Sequence, residues 1–91
     1  MILNAYVLYD KDIKVYGAIQ FAKDKSIDLK STYERQAIKE PEKLKGFKGN
    51  ILYCVGTYDD LTGILTQVEK EVVIDFDSLL LAVLEAGDKS E

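Results

Sequence analysis

The sequence predicts an α+β domain: an antiparallel sheet of two β-hairpins with one or two helices packed on one face. Three observations lead there. Residues 2–21 and 51–68 each read as strand, break and strand, with apolar and polar side chains alternating in the first. Residues 27–39 and 76–84 carry apolar side chains at helical spacing. At 91 residues, the chain has room for one domain, here taken as 1–91 with a flexible tail at 88–91.

In residues 2–10, Leu3, Ala5, Val7 and Tyr9 share one face and Ile2, Asn4, Tyr6 and Leu8 the other. Asp10-Lys11-Asp12 is a polar break suited to a turn. Across 13–21, Ile13, Val15, Ile19 and Phe21 fall on one side, which the alternation predicts to be buried. Asn4, Tyr6, Lys14, Tyr16 and Gln20 would then form the outer face of an N-terminal hairpin. A helix follows within 27–39. Ser31-Thr32-Tyr33-Glu34 has the form of a capping box, Ser26 offers an earlier cap, and Tyr33, Ala37 and Ile38 make a narrow apolar stripe. Pro41 disfavours helical geometry at Glu40 and should stop the helix there.

Residues 42–50 read as a loop with two glycines. The second hairpin runs from 51 to about 68, with Asp60-Leu61-Thr62-Gly63 as its turn and Gly63 expected at positive φ. Val72-Val73-Ile74 forms a short last strand or extended lead-in. Asp75 is a good N-cap for a final helix, in which Phe76, Leu79, Leu80, Val83 and Leu84 face inward and Gly87 ends the run.

Composition excludes several classes. The chain has no histidine, so it lacks the commonest general base and metal ligand. No serine or cysteine has a histidine base and no phosphate-cradling glycine loop occurs, so the expectation is a non-enzymatic protein without cofactors. Asp10, Asp12, Asp59 and Asp60 lie in turns without the spacing of a metal loop, and no metal site is expected. The single Cys54 cannot form an internal disulfide, which fits a reducing cytoplasm. No apolar run is long enough to span a bilayer, and the N-terminus lacks the basic flank of a signal peptide.

Net charge is −4, but it is segregated. Residues 1–50 hold 10 basic and 7 acidic side chains, and 51–91 hold 2 and 9. A basic face can thus coexist with an acidic total. The strongest local excess is Lys43, Lys45 and Lys48 around Phe47. The lysines suit phosphates, while Phe47 either stacks on a base or anchors its loop in the core. Tyr6 and Tyr16 beside Lys14 form a second candidate for stacking, or alternatively a packing surface. Leu79-Leu80-Leu81 spreads over roughly 200° of helix, more than one stripe can bury. Leu80, Leu81 and Leu84 are therefore expected at a homodimer interface.

Val55-Gly56-Thr57-Tyr58-Asp59-Asp60-Leu61-Thr62-Gly63 resembles the signature Ile-Gly-x-Phe/Tyr-Asp-x-x-Thr-Gly of the small non-structural protein of gokushoviruses, phages with single-stranded DNA genomes. Tyr9-Asp10-Lys11 followed by Val15-Tyr16, the segment from Tyr33 to Ile38, and Pro41-Glu42 fall in matching order. Gly17-Ala18-Ile19-Gln20-Phe21 stands where that family has a proline–aromatic pair, and Lys45-Gly46-Phe47-Lys48-Gly49 where it has Pro-Glu-Asp-Phe. The resemblance implies a phage accessory protein in the host cytoplasm, associated weakly with single-stranded DNA during replication or packaging. The alternative is a homodimeric interaction module whose acidic half binds a host or phage protein, even as a mimic of DNA.

Overall fold

The computed structural model describes residues 1–89, with side chains as far as Glu85. Nine elements follow in order: β1 (Ile2–Asp10), β2 (Val15–Tyr16), β3 (Gln20–Ala22), α1 (Ser26–Lys39), α2 (Pro41–Leu44), a 3-10 turn (Lys45–Phe47), β4 (Asn50–Asp59), β5 (Ile64–Asp75) and α3 (Phe76–Lys89). The class is the expected α+β. β1 pairs with β4 and β4 with β5, all antiparallel, while β2 and β3 lie one after the other along the free side of β1. The three helices pack on one face of this sheet and none packs on the other, an open face on which Tyr16 and Phe21 are exposed although Ala5 and Val7 are buried.

The side of each strand that meets the helices is set by alternation. Tyr6 and Leu8 on β1 face the same way as Leu52 and Cys54 on β4, their register partners. These residues join Val73 and Ile74 of β5, Ala37 of α1, Leu44 of α2 and Phe76 of α3 in one core. The phase expected for the first hairpin is therefore reversed. Tyr6 is 3% exposed and donates its hydroxyl proton to the Asp24 carbonyl at 2.6 Å. Burial pushes its phenol up from the ordinary tyrosine value, with a hydrogen bond to Ser26 acting in the opposite direction. Ile13, Val15, Ile19 and Phe21, expected inside, are exposed. Residues 13–21 do not form one strand: the pairing breaks between Tyr16 and Gln20, so the alternation does not carry across.

Helix α1 begins at Ser26 with Lys25 at its cap, and no side chain closes it. Ser31 lies inside the helix and donates to the Ile27 carbonyl, so the capping box does not form. The apolar stripe is Leu29, Tyr33 and Ala37, at i, i+4 and i+8, whereas Ile38 faces out. Pro41 ends α1 as expected and occupies the first turn of α2, where its missing N–H costs no bond. The segment 42–50 is thus largely helical rather than an open loop, because Leu44 is fully buried and anchors it.

The second hairpin is longer than expected, since β5 continues through 72–74 without a break. Its loop closes where anticipated: Gly63 adopts φ 72 and donates its N–H to the Asp59 carbonyl at 2.8 Å. Asp75 caps α3, its carboxylate accepting from the amides of Asp77 and Ser78. Gly87 does not end that helix, which continues to Lys89; Ser90 and Glu91 lie outside the described residues. Phe76, Leu79, Leu80 and Val83 pack inward. Leu84 does not, and Leu81 also faces out.

Candidate nucleic-acid interface

The open face of the sheet is built from the odd residues of β1, namely Leu3, Ala5, Val7 and Tyr9, with the strand positions opposite them. A tight turn sets up its first cluster. The Asp10 carboxylate accepts from the amides of Asp12 and Ile13, and Lys14 takes φ 58. That geometry brings Tyr16 opposite Tyr9, with ring centroids 4.6 Å apart. Tyr53 reaches them from β4, at 6.4 Å from Tyr9 and 6.3 Å from Tyr16.

A lysine completes the cluster because the β4–β5 ladder is irregular. Cys54 pairs with Glu71 and Gly56 with Gln67, so β5 places three residues, Val68, Glu69 and Lys70, opposite the single residue Val55. From this arch Lys70 extends over the Tyr53 ring, its Nζ 4.6 Å from the centroid, and donates to the Tyr16 hydroxyl at 2.6 Å. The bond to Tyr16 holds the ammonium above the ordinary lysine pKa, against a smaller loss from desolvation.

A second aromatic pair, Phe21 and Tyr58, lies farther along the same face with centroids 5.2 Å apart. The same face carries a shallow cleft of about 260 Å³, bordered by Ala5, Ile19, Val55, Gly56 and Leu65. Gly56 is needed at its floor, since a Cβ there would stand 2.5 Å from the Thr66 carbonyl oxygen. The face thus offers aromatic surfaces at two stations, a shallow cleft and the Lys70 ammonium. Such a surface can hold unpaired bases by stacking, because every base has a π-face.

The sequence-predicted residues divide among three places. Tyr16 belongs to the open face, and Lys14 sits in the turn beside it. Tyr6 and Phe47 are structural: Phe47 stacks on Phe76 at 4.8 Å and 18°, with Tyr33 edge-on to both. Lys43, Lys45 and Lys48 lie on the helix-bearing side. Lys43 pairs with Glu40 at 2.6 Å, while Lys45 and Lys48 border a groove against α3 together with Leu80, Leu81 and Leu84. The basic segment and Tyr16 are therefore not one surface.

Tyr9, Tyr53, Lys70, Phe21 and Tyr58 were not marked by the sequence. A signal for the first existed: a four-residue loop at 11–14 pairs Asp10 with Val15 and hence Tyr9 with Tyr16. Lys70 had none, because its position depends on the irregular register of β5. Among the described residues no His, Cys, Asp or Glu cluster could hold a metal ion, and no helix is long and apolar enough to cross a membrane. No protein-family model matches the chain, and no curated protein or solved structure matches it.

Proposed function

We propose that this chain is a non-enzymatic accessory protein that holds single-stranded DNA against the open face of its sheet. The observation that carries this reading is the Tyr9–Tyr16–Tyr53 cluster with Lys70 across it, on a face that no helix covers. Stacking on an aromatic side chain is worth roughly 1–3 kcal/mol per base, and a nearby lysine adds a phosphate contact. Affinity is modest, because the chain as a whole is acidic and few cations face the strand. The resemblance of residues 55–63 to the gokushovirus non-structural protein supports a role in the replication or packaging of a single-stranded phage genome in the host cytoplasm.

The test is a comparison of thymidine oligonucleotides with duplexes of equal length, followed by fluorescence anisotropy at low salt. Stacking requires unpaired bases, so the single strand binds and the duplex binds at least about tenfold more weakly, the equivalent of one stacked base. Equal affinity for the two forms would show a purely electrostatic contact and remove the stacking face from the account.

A further inference from the structure

We infer that α3 pairs antiparallel with α3 of a second copy of this chain, each filling the other's groove. The inference is independent of the nucleic-acid reading, since the groove lies on the opposite side of the molecule from the tyrosine cluster.

The groove encloses about 460 Å³ between α3 and the segment from α2 to the 3-10 turn, and Pro41, Lys45, Lys48, Leu80, Leu81 and Leu84 line it. Its base is apolar, and two lysines stand on its rim. Asp77 also borders it, but that carboxylate is already engaged by the Lys11 ammonium at 2.9 Å and the Gly49 amide at 2.8 Å. An occupant must therefore bring an apolar ridge with an anionic group at one end.

Helix α3 has that composition. Leu81 and Leu84 are one turn apart and 58% and 61% exposed, and the exposed Glu85 follows directly. If a two-fold axis passes between the positions of Leu81 and Leu84, Leu81 of each copy meets Leu84 of the other. The same operation carries Glu85 toward the partner's Leu80 and the rim that holds Lys45. One favourable arrangement is then made twice, as an isologous contact requires. Charge agrees with this direction, because the rim belongs to the basic half of the sequence and α3 to the acidic half. A parallel pairing would instead set Glu85 against Glu85.

Sedimentation velocity at tens of micromolar tests the arrangement. The wild-type protein is expected at twice the 10.3 kDa of one chain. Leu81→Lys should give a single-chain mass with helical circular dichroism retained. Lys45→Glu and Glu85→Lys, both surface changes, should each weaken dimerisation by about tenfold, since each sets like charges against one another at both ends. Mixed in equal amounts, these two variants should recover wild-type dimerisation, because both ends of the mixed dimer then carry opposite charges. A wild-type mass of one chain overturns the proposal. So does a dimer that survives Leu81→Lys, or a charge-reversed pair that fails to recover on mixing.

Discussion

Replacing Phe47 by alanine separates the two aromatic clusters of this protein. Phe47 was a candidate base-stacker on sequence, but its ring lies on Phe76 at 4.8 Å with Tyr33 edge-on at 6.2 Å. Phe76 is fully buried and central to the core, so removing Phe47 opens a void against it. Phe→Ala in a core costs about 3–5 kcal/mol, and aromatic contacts add about 0.5–1.5 kcal/mol per pair beyond area. Phe47 is only partly buried, which places the expected loss near the lower end, about 3 kcal/mol. A chain of 91 residues has a total stability of roughly 5–14 kcal/mol, so the variant stays folded but loses much of its margin. With a urea slope of about 1.5 kcal/mol/M, the midpoint falls by about 2 M. Affinity for single-stranded DNA, measured well below that midpoint, should be unchanged. Tyr16→Ala should do the reverse: Tyr16 is 46% exposed, so stability changes little, while binding weakens by about fivefold to a hundredfold for one lost stack. An unaltered midpoint for Phe47→Ala, with weakened binding, would refute this division of roles.

Further changes probe the frame that presents the open face. Gly63→Val should cost about 1–3 kcal/mol in chemical denaturation: a Cβ there meets nothing, so the whole effect comes from φ 72. Gly63→Asn should cost clearly less, because asparagine tolerates that region. Gly56→Ala should destabilise by a similar 1–3 kcal/mol for a different reason, the 2.5 Å approach of its Cβ to a main-chain oxygen, with a local change at the cleft visible in amide shifts. Acid provides another handle. The Lys11 ammonium, then the Gly49 amide, hold the Asp77 carboxyl below its ordinary value of 3.8. A depressed folded pKa contributes stability that is present above the unfolded value and lost as pH falls through the folded one, so the midpoint should decline below about pH 4. Asp77→Asn should flatten that part of the profile, and the change at neutral pH should stay below about 1 kcal/mol because the pair is exposed.

Much of the frame was legible in the sequence where local chemistry decides. Gly63 sits at positive φ, Asp75 caps α3 and Pro41 stops α1, each through contacts within a few residues. The phase of the first hairpin was not legible. Alternation separates two faces but does not say which one the helices cover, and Tyr6 and Tyr9 are equally acceptable inside. The break between β2 and β3 then places Tyr16 and Phe21, one even and one odd, on the same side. Long-range packing hid the rest. Phe47 meets Phe76 across 29 positions of sequence, and Lys70 reaches Tyr16 across 54, the latter only because β5 arches opposite Val55. Neither partnership leaves a periodic trace.

The most direct test of the central claim is a titration of the protein with a short thymidine oligonucleotide over a range of salt, for the wild type and for a Tyr16→Ala, Tyr53→Ala double variant. With Lys70 as the phosphate contact on this face, log K should fall against log salt with a slope of about −0.7, at roughly 0.7 per contact. The double variant should lose roughly 2–6 kcal/mol at every salt concentration, from two stacks at about 1–3 kcal/mol each, with that slope preserved. The absence of binding by the wild type at low salt would contradict the account. Binding that ignores both tyrosines and disappears on replacing Lys43, Lys45 and Lys48 would contradict it equally, by placing the strand on the opposite face.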